Sequence, residues 1–149
     1  MQHGRNPASD ARKRHVVSLL QVRLGILERK FSNRPDWYLS DGDNVEVFIT
    51  DSKPHCERRP WFDMSVADIK ALAGHSCGFI IFVLGYKDNF LVIPAKDLMA
   101  HLPEYRDNQT QNGRYHLNLN KKRTEFEQFP GWSLYPYADK LELIPNGIS

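Results

Sequence analysis

The chain has 149 residues, of which 41% are hydrophobic and 26% charged, the ordinary balance of a globular domain large enough to bury a core. No apolar run approaches the length of a membrane span, and residues 1–15 lack the apolar core of a signal peptide, so we expect a cytoplasmic protein that does not enter a membrane. Two cysteines, Cys56 and Cys77, are too few for a disulfide framework.

The net charge of +2 is unevenly distributed along the chain. Residues 1–34 hold eight Lys or Arg side chains against two carboxylates, and residues 111–123 hold four with no acid. Residues 124–149 hold one lysine against four carboxylates. Two basic segments of this kind suit a polyanionic partner, although a solvated surface produces the same pattern.

A long helix is the first predicted element, and it follows a tail over residues 1–8 that we expect to be disordered. Apolar side chains recur at steps of three and four over residues 10–30, which is the spacing of one helical face. Ser9 or Asp10 can cap this helix, and residues 32–35 interrupt it. The apolar stripe consists of Val16, Leu20, Leu24, Leu27 and Phe31.

Two strands follow as a predicted β-hairpin, over residues 36–40 and 45–50. Gly42-Asp43 between them is typical of a two-residue hairpin loop. Residues 51–60 are polar and contain two prolines, which predicts an exposed loop.

The next segment predicts a short strand over residues 61–64 and a helix over residues 66–73. Ser65 can cap this helix, and Gly74 ends it.

The most apolar part of the chain predicts a second hairpin, with strands over residues 79–84 and 90–93. Both strands are apolar on both faces, so we expect them to lie centrally in the sheet and to be covered on two sides. A short helix over residues 95–102 follows, and Pro103 ends it.

The last third of the chain predicts a half-buried strand over residues 114–120, where apolar and polar side chains alternate. A basic turn over residues 121–123 and an aromatic-rich segment follow, and residues 137–144 close the domain as a short helix or strand. Together the elements predict an α/β fold for a single domain over residues 9–149, with a mixed central β-sheet flanked by helices.

Acidic residues stand at the ends of the first predicted hairpin, as Pro35-Asp36 at its head and Asp51-Ser52-Lys53 at its end. The pattern P-D-x14-D-x-K resembles the signature of the restriction-endonuclease-like, or PD-(D/E)xK, nuclease superfamily. The resemblance implies a restriction-endonuclease-like fold in which Asp36 and Asp51 hold Mg²⁺ and Lys53 orients the attacking water. A helix glutamate is a further metal ligand in that superfamily, which points to Glu28.

The predicted hairpin register is compatible with this site. With Gly42-Asp43 as the loop, Asp36 lies opposite Ile49, and side chains two residues apart share a face of the sheet. Asp36 and Asp51 are then diagonal neighbours within reach of one metal ion, and Lys53 points the same way.

A second resemblance covers residues 12–144. The segments VFITDSKPHCERRPWFDM, CGFIIFVLGYKDNFLVIPAKDL, GRYHLNLNKKR and YADKLELI are similar to small, poorly characterised members of the same superfamily. Those relatives keep the acidic residue and the lysine inside the strand, where this chain has Phe48 and Thr50. Either the motif has moved to Asp51 and Lys53, or the chain has a nuclease fold without nuclease chemistry. Ordinary loop and cap residues would also explain the triplet.

Other constellations are weaker. His55, Cys56, His75 and Cys77 supply four zinc-type ligands, but their spacing lacks a zinc knuckle, and a buried free cysteine is a normal core residue. Neither cysteine lies in a nucleophile motif, and no phosphate-loop glycine pattern is present, so a small-molecule enzyme has no motif in support.

Basic loop residues are the candidates for contact with nucleic acid, since Arg and Lys near a sheet edge can track phosphates. Trp61, Tyr115 or Trp132 can stack on bases, although aromatic side chains at strand spacing are more often core residues. The candidate nucleic-acid-binding residues are Arg58, Arg59, Arg114, Lys121, Lys122 and Arg123.

The sequence therefore indicates a nucleic-acid-directed protein, with DNA as the expected partner and Mg²⁺-dependent endonuclease activity as the first interpretation. The alternative is a catalytically inactive DNA-binding or protein-interaction module on the same fold. The sequence is also compatible with a homodimer or with a partner protein.

Overall fold

The computed structural model of the chain describes residues 7–40, 44–52, 61–84, 89–104 and 113–145. Three helices and seven strands form within these residues. In chain order they are α1 (Pro7–Leu24), β1 (Leu27–Phe31), β2 (Arg34–Ser40), β3 (Glu46–Asp51), β4 (Trp61–Ser65), α2 (Val66–Ala73), β5 (Gly78–Val83), β6 (Phe90–Pro94), α3 (Ala95–His101) and β7 (Arg114–Asn118).

Five of the strands form one mixed sheet in the order β1-β2-β3-β5-β6. Strands β1, β2 and β3 pair antiparallel, β3 and β5 pair parallel, and β5 and β6 pair antiparallel. The remaining strands, β4 and β7, pair antiparallel in a separate two-stranded sheet. The expected α/β class with a mixed central sheet is confirmed.

The first helix is shorter than predicted, and the prediction of a helix to about residue 30 is wrong. Gly25 follows α1 with φ +82°, a left-handed conformation that ends helices, and its N–H donates to the Gln21 carbonyl at 2.8 Å. The next residues form β1, because they pair with β2 instead of continuing the helix. The helix also begins at Pro7, which places Ser9 and Asp10 inside its first turn and not at its cap.

The first hairpin has the predicted register. Trp37 pairs with Phe48 and Tyr38 with Val47. These pairs belong to the predicted register, in which Asp36 lies opposite Ile49. Residues 41–43, where the turn was predicted, lie outside the described residues.

Strands β5 and β6 form the second hairpin, and every residue of β5 is buried. Strand β5 is central in the sheet, as predicted, and lies between β3 and β6. Strand β6 is the last strand of the sheet, so the prediction of a central position is wrong for β6. Its burial has another cause: a segment near Ala138 covers its outer edge, where Leu91 bridges to Ala138 and the Asp139 N–H donates to the Phe90 carbonyl at 2.8 Å.

Helix α1 covers one face of the five-stranded sheet. Its stripe residues Val16, Leu20 and Leu24 are almost fully buried, at 2%, 0% and 5% exposure. They pack in one cluster with alternate residues of β3, β5 and β6, such as Val47 and Ile81. We call this side of the sheet the α1 face.

The opposite face packs against α2, α3 and the β4–β7 sheet. Trp37, Ile80 and Phe82 point to this side, where they join Ile69 of α2 and Leu98 of α3. We call it the α2–α3 face. The sheet is therefore the middle layer of three, as expected for a sheet flanked by helices.

The remaining predictions concern the caps and the ends of the chain. Helix α2 has the predicted bounds, and the Asp68 N–H donates to the Ser65 hydroxyl at its start. The predicted closing element over residues 137–144 consists of short 3-10 turns at Tyr135–Tyr137 and Leu141–Leu143. The tail predicted over residues 1–8 is wrong for residues 7 and 8, which belong to α1, and residues 1–6 lie outside the described residues.

No helix within the described ranges combines the length and the apolar character that crossing a bilayer requires.

Candidate functional site

Asp51 is the most buried of the three predicted acidic site residues. It ends β3, and its side chain, 4% exposed, lies on the α1 face. The Arg12 guanidinium of α1 donates to both carboxylate oxygens, from Nη2 to Oδ2 at 2.6 Å and from Nε to Oδ1 at 3.4 Å. The Ser52 N–H donates to Oδ1 at 2.9 Å. The carboxylate is thus held by three N–H donors, two from the Arg12 cation and one from the Ser52 backbone.

Asp36 makes the same kind of contact with the next residue of α1. Its Oδ2 accepts a hydrogen bond from Lys13 Nζ at 2.9 Å, and its side chain is 31% exposed. Asp36 lies two residues before Tyr38, which belongs to the apolar cluster on the α1 face. The register therefore places Asp36 and Asp51 on one face of neighbouring strands, and Arg12 and Lys13 neutralise their charges.

Glu28 does not join these carboxylates, and the prediction that it lies on the first helix is wrong. It lies on β1, where it pairs with Leu39, and it is exposed. Because side chains alternate along a strand, Leu39 shares the α2–α3 face with Trp37. Glu28 is therefore on the face opposite Asp36 and Asp51, with the sheet between them.

Phe48 and Thr50, where the resembled relatives keep their acid and lysine, also lie on the α2–α3 face. Phe48 packs against Trp37 with ring centroids 5.6 Å apart, and Thr50 is two residues further along β3. A carboxylate at position 48 would consequently not meet Asp36. Of the possible acidic partners on β3, Asp51 is the one on the correct face.

The metal site remains a prediction. Among the described residues, no group of three or more His, Cys, Asp or Glu side chains is arranged to hold a metal ion. Lys53, the predicted catalytic lysine, lies outside the described residues. The zinc interpretation has no further support in the described part of the chain, where His75 Nδ1 accepts a hydrogen bond from the Cys77 N–H and Cys77 is a free cysteine.

A cleft of about 490 Å³ opens between α1 and the β1–β2 hairpin, beside Asp36. Polar side chains of both walls line it, and Tyr38 lies on the strand side. Burial and the neighbouring Asp36 carboxylate raise the pKa of the Tyr38 phenol, against an opposing effect of Arg29. Tyr38 therefore remains a neutral hydroxyl at physiological pH.

The two-stranded sheet presents a polar outer face. Its strand pairs Trp61–Asn118, Asp63–His116 and Ser65–Arg114 alternate with pairs whose side chains enter the core. The Trp61 and His116 rings are stacked, with centroids 5.2 Å apart and planes 12° from parallel. We call this surface the β4–β7 outer face.

Charge on the β4–β7 outer face is partly balanced. Arg114 Nε donates to the Asp63 carboxylate at 2.8 Å, and His116 Nε2 lies 3.7 Å from the same oxygen. Lys121 and Lys122 are exposed in the turn that follows β7, beyond the end where Trp61 pairs with Asn118. Arg123, in the same turn, has φ +58° and is partly buried, while Arg58 and Arg59 lie outside the described residues.

The basic residues of helix α1 and the basic turn after β7 lie on opposite sides of the central sheet. Helix α1 covers one face, whereas β7 belongs to the layer that packs on the other. They cannot form one continuous basic surface on a single face, so each must be considered as a separate site.

Sequence reasoning did not identify Arg12 and Lys13 as site residues, or Glu46 as a buried one. Glu46 is 2% exposed, and its Oε2 accepts hydrogen bonds from Lys30 Nζ at 2.7 Å and from the Trp37 indole N–H. The available signal was spacing: Arg12 and Lys13 precede Val16 by four and three residues, so they lie near the side of the helix that packs on the sheet. Their contacts depend on how α1 crosses the sheet.

No family model, no curated protein and no solved structure matches the chain.

Proposed function

We propose that this chain is a nucleic-acid-binding protein, with DNA as the expected partner, and that the β4–β7 outer face and the following turn contact the nucleic acid. The observation that carries the proposal is the position of Lys121 and Lys122, which are exposed at the end of the sheet where Trp61 pairs with Asn118. Lysines beside an aromatic side chain provide both a phosphate contact and a stacking surface.

The charged residues of the outer face do not contribute equally to the attraction of phosphate. Arg114 forms an ion pair with the Asp63 carboxylate, so it contributes less positive potential than its charge suggests. Lys121 and Lys122 therefore supply most of the attraction to phosphate. His116, with a side chain 53% exposed and stacked on Trp61, offers an aromatic edge to a base.

The fold is compatible with a restriction-endonuclease-like assignment, which is part of the proposal. A mixed sheet between helix layers is the architecture that the resemblance implies, and the structure has such a sheet between α1 and the pair α2 and α3.

Substituting both turn lysines tests the proposed contact surface. In the double variant Lys121→Ala/Lys122→Ala, we expect weaker binding to every oligonucleotide. The slope of log affinity against log salt concentration should become shallower by about two units, because binding releases about one counterion fewer for each phosphate contact that is lost. Fluorescence anisotropy with labelled single-stranded and duplex DNA between about 50 and 200 mM salt measures both quantities.

The matched control is Lys70→Ala/Lys96→Ala, which removes two exposed lysines from α2 and α3. We expect this control to keep the salt slope of the unmodified protein. Equal slopes for the two double variants would contradict the proposed surface, and absence of binding at low salt would contradict nucleic-acid binding altogether.

Mg²⁺-dependent cleavage of nucleic acid is the second candidate function. It is favoured by one observation: the strand register brings Asp36 and Asp51 to the same face of neighbouring strands. The Arg12 and Lys13 contacts weigh against it, because a metal ion would have to replace both cations. Binding without cleavage is therefore the first proposal.

Asp36→Asn is the sharper test of this second candidate, because Asp36 is more exposed than Asp51 and its substitution should leave the fold intact. If Asp36 holds the metal, we expect the variant to lose at least about 100-fold in cleavage rate, since even residues behind the metal ligands cost about 10–100-fold. DNA affinity should stay the same or rise, because a negative charge is removed. Nicking of plasmid DNA and cleavage of single strands with Mg²⁺ or Mn²⁺ measure the rate. No cleavage by the unmodified protein on any of these substrates would exclude the candidate.

A further inference from the structure

The cleft between α1 and the β1–β2 hairpin has no role in the proposed contact surface, and it lies on the other side of the central sheet. Arg14 and Lys13 line its helix wall, and Arg29 and Tyr38 line its strand wall. Its volume of about 490 Å³ lies within the range of small-ligand sites, which is about 300–1,000 Å³.

The charges in the cleft favour an anion. Three cations line it against two carboxylates, and the Lys13 ammonium already neutralises Asp36 at 2.9 Å. The other carboxylate, Asp10, is engaged in an interaction of its own. Arg14 and Arg29 are exposed on opposite walls, so their guanidinium groups can approach one ligand from two sides.

Two uncharged polar side chains of the cleft can donate hydrogen bonds to a ligand. The Tyr38 phenol, which remains protonated at neutral pH, and the Gln21 amide can both donate to an oxyanion. Arginine binds phosphate oxygens through two parallel N–H donors, a geometry that a point charge does not provide. Val17 and Pro35 add apolar wall beside these donors, so the cleft has room for an organic group attached to the anion.

We infer that this cleft binds a phosphate monoester, with Arg14 and Arg29 holding the phosphate dianion and Tyr38 donating to it. The ester is either the terminal phosphate of a nucleic-acid strand or a free nucleoside monophosphate, because both present the same dianion and an attached organic group. The site is independent of the Lys121 and Lys122 surface.

The test compares two oligonucleotides of one sequence, one with a 5′-phosphate and one with a 5′-hydroxyl, and adds adenosine monophosphate as a free ligand. We expect the unmodified protein to bind the phosphorylated strand or the mononucleotide, and the double variant Arg14→Gln/Arg29→Gln to lose about tenfold in that affinity, or more. Anisotropy measures the strands, and calorimetry measures the mononucleotide.

The matched control Lys70→Gln/Lys96→Gln also removes two exposed positive charges and should keep the affinity. A preference for the phosphorylated strand that disappears in the arginine variant identifies a strand end as the ligand, and a loss confined to the mononucleotide identifies a free nucleotide. The inference is overturned if the phosphorylated strand binds no more tightly than the hydroxyl strand and the mononucleotide does not bind. It is also overturned if the arginine variant and the lysine control lose the same affinity. Because calorimetry needs no oligonucleotide, the result stands apart from the success of the lysine test.

Discussion

Replacing Gly78 with alanine will lower the free energy of unfolding by at least about 3 kcal/mol, the upper end of the usual cost of overpacking a core. Gly78 begins β5 where the end of α2 crosses it. A Cβ at this position would lie 2.0 Å from the Leu72 carbonyl oxygen and 2.9 Å from its carbon. These are backbone atoms of a helix whose Leu72 side chain is fully buried, so α2 would have to move away from the sheet. Urea denaturation followed by circular dichroism measures the loss.

Gly74→Ala is the matched control for this substitution. Gly74 follows α2 with φ −74°, and the nearest atoms to its added Cβ would lie at 3.5 Å, an ordinary contact distance. We expect this variant to be as stable as the unmodified protein or more stable by up to about 1 kcal/mol, since alanine restricts the unfolded chain. Similar stability of the two variants would show that α2 does not approach β5 this closely. If the Gly78 variant does not fold while the Gly74 variant does, this result is the expected loss of stability.

Asp51→Asn should be the second most damaging of the proposed substitutions, with a loss of about 1.5–3 kcal/mol in the free energy of unfolding. The Asp51 carboxylate is 4% exposed and accepts two hydrogen bonds from Arg12. Asparagine replaces one acceptor oxygen by an NH₂ group and leaves the guanidinium without a counter-charge in a largely buried position. Chemical denaturation again measures the change.

Asp36→Asn provides the comparison, because it removes the same charge from the neighbouring ion pair. Asp36 and Lys13 are 31% and 24% exposed, so water can replace the lost contact. We expect a loss of at most about 1 kcal/mol. Combining Asp51→Asn with Arg12→Gln should cost less than the two separate losses added together, which is the sign of a direct interaction. Equal losses for the two aspartate variants would mean that the Arg12 contact stabilises the fold no more than the more exposed Lys13 contact does.

The two aspartate variants also separate structure from chemistry in the acidic site. If Asp36 and Asp51 serve only to attach α1 to the sheet, the losses are in stability, and nucleic-acid affinity is unchanged. If they hold a metal ion, the Asp36 variant loses cleavage while it remains folded. Stability and cleavage must therefore be measured on the same preparations.

Local patterns predicted the elements whose side chains pack close to their neighbours in sequence. The register of β2 with β3 followed from the turn signal at Gly42-Asp43, because a two-residue loop leaves one way to pair the strands. The bounds of α2 followed from Ser65 and Gly74. The apolar run of β5 predicted its burial on both faces.

The same patterns failed where two structures fit the local sequence. Leu27 and Phe31 continue the helical stripe, but they also fit a strand, and pairing with β2 decides between the two. The left-handed Gly25 makes the break possible. The position of β6 at the end of the sheet likewise could not be predicted from the local sequence, because the residues that cover its outer edge lie near Ala138, far along the chain.

The sequence by itself determined an α/β domain with a buried apolar hairpin, two basic segments and a pair of aspartates on one side of a strand pair. Only the tertiary structure decided what surrounds those aspartates, because Arg12 and Lys13 reach Asp51 and Asp36 through the crossing of α1 over the sheet. It also decided that Glu28 faces away from them. Charge and alternation are local properties, whereas the partner of a charge depends on packing between distant elements. The cleft between α1 and the β1–β2 hairpin likewise exists only because two such elements meet.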